Sequence, residues 1–318
     1  MENNNRSGNE QNGNSRPIGE ETVAKQDSRM PVTIIGMGPM ERALAGAFVK
    51  NGHLATVWNR SAGKTDALVK EGAVLADTIG GAVAASPLVI VCVLDYDAVQ
   101  SILAPVGSEL QGRTLVNLTA DTPARAREMA AWAAGHGIDY LDGAIMTPTP
   151  SIGTPAASIL YSGPESVYRN VQSALSSLGG TASYLGSDPG RAAAHDVALL
   201  DLFWTSMSGY VHALALAASE HISAKDFAVH ARGIAAILPD IITGIADEAD
   251  EGRYPGDASN LVSAEAGMAH IIHAAEHHGI DASVLSAARA LARRAIDEGL
   301  GEDGFGRLAE LLSRRSGA

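Results

Sequence analysis

Val32-Thr33-Ile34-Ile35-Gly36-Met37-Gly38-Pro39-Met40-Glu41 is the stretch on which the fold turns. Four β-branched residues in succession, closed by a glycine, read as a buried strand. A helical pattern runs from Met40 to Lys50, and Asn51-Gly52 stops it. Gly36 permits the tight turn between the two. Gly38 lets a pyrophosphate approach the backbone at the helix N-terminus, and Pro39 and Met40 belong to the same loop. The third position of this pattern normally needs glycine for close helix–strand packing, and here it is Glu41. The rest of the context fits a dinucleotide-binding fingerprint; the alternative is a bare strand–helix turn.

Outward from this unit, 55–58, 88–93, 115–118, 140–142 and 157–161 read as further strands, with helical patterns between the earlier ones. Alternation of this kind implies a parallel, doubly wound sheet. After Ser187-Asp188-Pro189-Gly190 the pattern changes. From Arg191 to about His221 there is no proline and one glycine, and Val197-Ala198-Leu199-Leu200-Asp201-Leu202-Phe203-Trp204 is apolar on nearly every face. A helix of this kind needs cover on all sides. At about 1.5 Å per residue it spans roughly 45 Å, long for a small domain, so a partner subunit is expected to cover part of it. The remainder reads as helices only. The expected organisation is a disordered Asn/Gly/Glu-rich tail over 1–29, a cofactor domain over 30–190, and the long helix with a helical dimerisation and substrate domain over 191–318. The fold class is α/β: an N-terminal Rossmann-type doubly wound sheet, and an all-α C-terminal domain linked by a long helix.

Composition narrows the function. The 318 residues are 46% hydrophobic and 19% charged, with a formal net charge of -13. An acidic chain argues against nucleic-acid binding. The single cysteine, Cys92, excludes an internal disulfide framework and any cysteine-cluster metal site, and fits a cytoplasmic protein. No apolar run reaches the length that a membrane span needs.

The end of the second strand bears on which dinucleotide binds. NAD sites usually carry Asp or Glu there for the ribose 2′-hydroxyl. The chain instead reads Trp58-Asn59-Arg60-Ser61, with Lys64 just beyond, and Arg60, Ser61 and Lys64 can hold a 2′-phosphate. The cofactor expected is NADPH; the alternative is a solvated polar loop. Val93 and Leu94, and Asn117 and Thr119, lie at carboxyl ends of strands, the edge that faces the ligand in doubly wound sheets. Ordinary polar strand ends remain the other reading of that edge. Asp196 shares a helical stripe with Leu199, Leu200, Phe203, Trp204 and Met207. A carboxylate there is costly unless paired or protonated; the alternative is an Asp favoured at a helix start by the macrodipole. Trp204 and Met207 either line a pocket or pack in a core. His270, His273 and His277 share a helix face with His278 beside them, but there is no His-Glu-x-x-His pattern, and no metal is expected.

The chain from Pro31 to Arg315 resembles the imine reductase and reductive aminase family, within the wider group of 3-hydroxyisobutyrate and 6-phosphogluconate dehydrogenases. The resemblance rests on Gly36-Met37-Gly38-Pro39-Met40, Asn59-Arg60-Ser61, Val91-Cys92-Val93-Leu94-Asp95-Tyr96, Leu160-Tyr161-Ser162-Gly163 and His195-Asp196-Val197-Ala198-Leu199-Leu200, in that order. The hydroxyacid enzymes of the group carry Asp-Ala-Pro-Val-Ser-Gly-Gly, where this chain has Asp142-Gly143-Ala144-Ile145-Met146-Thr147-Pro148. They also carry a catalytic Lys near the start of the long helix, and this chain has no Lys between Lys70 and Lys225. What remains suits an uncharged or cationic amine-type substrate.

The resemblance implies that NADPH reduces an imine, with ketone plus amine as a further substrate pair. It implies that Asp196 donates a proton to the imine nitrogen or stabilises the iminium. Met146, Trp204, Met207 and Met268 are the substrate-pocket candidates, Met268 coming from the other subunit of a homodimer with exchanged helical domains. A hydroxyacid dehydrogenase and a non-catalytic NADP-binding protein are the rival readings.

Overall fold

The computed structural model describes residues 29–60 and 65–314. The tail expected over 1–29 lies outside these residues except for Arg29, as do Ser61 and Lys64. In chain order the elements are β1 (Val32–Ile35), α1 (Pro39–Lys50), β2 (Ala55–Trp58), α2 (Asp66–Lys70), β3 (Val74–Leu75), α3 (Ile79–Ala84), β4 (Leu88–Val91), α4 (Tyr96–Leu103), β5 (Thr114–Asn117) and α5 (Pro123–Gly135). There follow β6 (Asp139–Ile145), β7 (Ser158–Ser162), α6 (Glu165–Leu175), β8 (Thr181–Tyr184), α7 (Arg191–Ser219), α8 (Ala224–Glu251), α9 (Leu261–His277), α10 (Ser283–Asp297) and α11 (Arg307–Ser313).

All four residues of β1 are buried, as are all four of β4. A strand covered on both faces belongs at the middle of a parallel sheet. The eight strands lie in the order β3-β2-β1-β4-β5-β6-β7-β8. Pairing is parallel throughout except between β6 and β7. The chain winds from β1 outward to β3, then returns to place β4 on the other side of β1. The crevice outside the carboxyl ends of β1 and β4 is therefore the topological switch point, where doubly wound sheets bind ligands.

Helix α1 buries Leu44, Ala45 and Phe48 in the core cluster that holds Val32, Ile34, Val57, Leu88 and Ile90. A second cluster on the sheet joins Ile35, Val89 and Val91 to Tyr96, Val99 and Leu103 of α4 and to Ala126, Met129 and Ala133 of α5. The sequence reading omitted β3 and β8. Both residues of β3 are exposed, and β8 is exposed or half-buried. Edge strands with no core-facing run have no apolar signature to read.

The chain divides into two compact units, with the division inside α7 between Val197 and Ala198. The first turns of α7 pack with the sheet, where Ala192, Ala193 and Asp196 are buried. In the second unit, α9 and α10 pack on each other and α11 joins them, with Leu261, Ala292, Ala295, Leu308 and Leu311 buried together. The apolar residues of α7 that were expected to be covered are exposed in the single chain: Trp204 is 64% and Val211 64% accessible. Helix α8 has no buried residue at all. Its 28 residues also contain a stretch long and apolar enough, by length and composition, to cross a membrane. This corrects the expectation that no apolar run reaches the length of a membrane span; α8 carries Lys225, Asp226, His230, Arg232 and Asp240 along its length.

Gly36 has φ +103, and a Cβ there would stand 2.4 Å from the Cys92 carbonyl oxygen. Gly36→Ala should destabilise the protein by more than about 1 kcal/mol, read as a lowered Tm by calorimetry.

Candidate active site

The glycine turn leaves the head of α1 open. Gly38 caps the helix in extended conformation with no side-chain hydrogen bond, and Pro39 takes the first position, where a missing N–H costs nothing. The first-turn N–H groups are thus available to an anion. The Arg42 guanidinium braces the turn by donating to the Met37 carbonyl at 2.9 Å. The lack of room for a side chain at Gly36 and the uncapped helix end together fit a dinucleotide diphosphate. Pro39 is exposed and Met40 half-buried.

The ends of β4 and β5 are tied together. The Val93 N–H donates to Thr119 Oγ1 at 3.1 Å, and the Thr119 N–H donates to Asn117 Oδ1 at 3.1 Å. The Asn117 amide donates in turn to the Tyr140 hydroxyl at 3.3 Å. Asn117 and Thr119 are both buried and shape the loop that carries Val93 and Leu94. Leu94 is 88% exposed, an apolar side chain held out over the carboxyl edge of the sheet. Asp95 caps α4 by accepting from the Ala98 N–H at 2.8 Å. At the end of β2, Asn59 is half-buried and Arg60 exposed.

The residues that the sequence reading missed lie beneath this edge. Asp142 is paired in register with Asn117 of β5 and is 1% exposed. Its Oδ1 accepts the hydroxyls of Tyr96 and, at 3.1 Å, Tyr140. Its carboxyl also accepts the N–H of Ala193 in the first turn of α7. Burial pushes the Asp142 carboxyl up to about 7; the tyrosine hydrogen bonds act against that rise and the charge of Asp196 adds to it. Burial also raises Tyr96 and Tyr140, which stay protonated donors. One signal was available: Asp142 closes the strand-like run Tyr140-Leu141-Asp142, where a buried carboxylate demands partners.

Helix α7 is anchored by the same strands. Ser162 Oγ accepts the Ala192 N–H at 2.9 Å and donates to the Pro189 carbonyl at 3.0 Å. Arg127 holds Asp188 through two hydrogen bonds of 2.9 and 2.7 Å, just before the helix. These contacts set the position of Asp196, one turn further on. Asp196 is 4% exposed, and burial raises its pKa. A carboxylic acid whose burial favours the protonated form can donate a proton.

Of the substrate candidates, Met146 follows β6 in the first unit, its N–H donating to the Ser158 carbonyl at 2.9 Å. Trp204 and Met207 lie on the exposed part of α7, with the Trp204 ring edge-on to Phe203. Met268 packs against the cluster around Leu261 in the second unit. His278 pairs with Glu220 at 2.8 Å, and among the described residues no three His, Cys, Asp or Glu side chains are grouped to hold a metal ion.

Comparison with known proteins gives a consistent picture. Residues 188–314 match the family described as NADPH-dependent reductive aminase-like, C-terminal domain. Residues 31–186 match the NAD binding domain of 6-phosphogluconate dehydrogenase. The NADPH-dependent reductive aminase of Aspergillus oryzae is 36% identical over 287 residues, covering 88% of this chain and 96% of that protein. The imine reductase from Myxococcus stipitatus, solved with NADP+, superposes with a TM-score of 0.86 at 36% identity, covering 89% of this chain and 100% of the other. A reductive aminase from Aspergillus terreus, solved with NADPH4, cyclohexanone and allyl amine, gives 0.84 at 39% identity, over 89% and 99%.

Asp142→Ala should leave two tyrosine hydroxyls without their acceptor, at about 1–3 kcal/mol for each buried group. The pH dependence is more specific. The folded-state pKa of about 7 lies above the ordinary 3.8, so stability linked to Asp142 is present below about pH 4 and is lost as pH rises through 7. Asp142→Asn removes this titration. The Tm of the wild-type protein should fall relative to that variant between about pH 4 and 8.

Proposed function

The chain belongs to the NADPH-dependent reductive aminase family, and from that premise we propose that it reduces C=N bonds to amines, with Asp196 as the proton donor. It is an NADPH-dependent oxidoreductase of the imine reductase type. NADPH, when bound, supplies the hydride that reaches the imine carbon. The residues that would hold it are the Gly36 to Met40 turn, Val93 and Leu94 at the sheet edge, and Asn59, Arg60, Ser61 and Lys64 at the 2′-phosphate end. Asn117 and Thr119 shape that edge. The observation that carries the catalytic reading is the burial of Asp196 at the anchored start of α7, which favours its protonated form. Asp196 passes its proton to the nitrogen as hydride reaches the carbon. Met146, Trp204, Met207 and Met268 supply apolar pocket surface. The substrate is an imine, or a ketone and an amine that condense to one, and an apolar site suits both.

The assembly read here is a homodimer with exchanged helical domains. Its support is the uncovered apolar surface of α7 and α8, together with an apolar cavity of about 1010 Å³ in the second unit, lined by Leu216, Ile222, Phe227, Ile271, Val284 and Leu285. Charged residues spread along α8 favour a protein partner over lipid as its cover. A cytoplasmic location belongs to the same proposal; a buried Cys92 outside any disulfide fits a reducing compartment.

NADPH oxidation with a cyclic imine tests the activity; turnover of a hydroxyacid with NADP+ instead would sink it. Asp196→Asn should lower kcat on imines by about 10²–10⁴-fold while leaving the NADPH Kd unchanged. In the wild-type enzyme kcat should fall as pH rises and Asp196 ionises; a rise would mark it as a stabiliser of a preformed iminium. Sedimentation at micromolar protein without detergent should show a dimer, and a stable active monomer would contradict the shared site.

A further inference from the structure

Glu41 stands where the nucleotide-binding pattern has its third glycine, and the structure shows where the extra side chain goes. It is 8% exposed and folds back toward the turn instead of out to solvent. A Cβ built on Gly38 would stand 2.6 Å from Glu41 Oε2, and one on Gly36 would stand 3.1 Å from its Cγ and 3.2 Å from Val93 Cγ1. The carboxylate therefore lies against the same backbone that a diphosphate must approach, beside the open head of α1. A negative group is favoured there by the helix dipole and the unpaired first-turn N–H groups. The Cys92 thiol marks its presence: it is pushed up to about 12, first by burial, then by the Glu41 charge and a hydrogen bond to it. The protein has thus placed an anion of its own where the cofactor's anion belongs.

We propose that Glu41 is an internal competitor for the cofactor's diphosphate, its carboxylate occupying the glycine cradle of the free protein and being displaced when the dinucleotide binds. The inference rests on the cofactor reading above. Two anions cannot share one cradle without repulsion that low-dielectric surroundings enlarge. Displacement also moves a buried carboxylate away from its thiol partner. Glu41 accordingly sets cofactor affinity, and this chain holds NADPH more loosely than it would with glycine at the same position.

The test is a fluorescence titration of the full-length apoprotein with NADPH, repeated for Glu41→Gly and Glu41→Gln. Glu41→Gln keeps the bulk and removes the charge. Both variants should bind NADPH more tightly, by about tenfold or more for Glu41→Gly. Adenosine 2′-monophosphate, which lacks the diphosphate, should bind all three proteins equally. Binding of NADPH by the wild-type protein is the control on which the cofactor reading stands. An NADPH Kd within twofold across the three proteins overturns the role of Glu41 alone. So does tightening confined to Glu41→Gly, because the obstacle would then be bulk and not charge, and so does equal tightening toward adenosine 2′-monophosphate.

Discussion

A carboxylate shut inside a protein must find donors, and Asp142 finds three of them on three different elements. Tyr96 comes from the start of α4, Tyr140 from its own strand, and Ala193 from the first turn of α7. The strand ends that face the cofactor crevice and the helix that carries Asp196 are thereby tied to one atom group. Loss of any donor would strand a buried polar group, so the three elements keep one mutual arrangement. With Ser162 and the Arg127–Asp188 pair, this fixes where α7 leaves the sheet and in which direction Asp196 faces.

The same burial divides the labour between two carboxyl groups. Asp142 is engaged by tyrosines and braces the site. Asp196 has burial as the cause of its raised pKa. Both shift in the direction that keeps a proton on, and the charge of one opposes ionisation of the other. The proton donor proposed above would be a short acid on a helix whose first turn is held by neighbouring strands.

The helical unit poses the opposite problem. Helix α8 buries nothing, and α7 beyond Val197 exposes Leu202, Phe203, Trp204 and Val211. Exposed apolar patches on this scale mark interaction surfaces. The sheet unit, by contrast, closes its core around β1 and β4 within the single chain. The crevice proposed for the cofactor thus lies within the sheet unit's own closed core, whereas the helices of the second unit leave apolar surface exposed.

The sequence alone was enough for the central strands, the glycine turn and the long helix, because each rests on local periodicity that survives in any window of the chain. Val32–Ile35 and Leu88–Val91 are legible since strands buried on both faces need apolar residues throughout. Asp196 was legible as a carboxylate in an apolar helix. The edge strands β3 and β8 were not, since half-exposed edges impose no pattern. Nor was the hub at Asp142, because its partners Tyr96 and Ala193 are 46 and 51 positions away and only tertiary packing brings them together. Glu41 illustrates the boundary between the two. Its departure from glycine is plain in the sequence, but whether a longer side chain points out to solvent or back into the cradle depends on the room left between α1, Gly36 and the end of β4, which exists only once the sheet has formed.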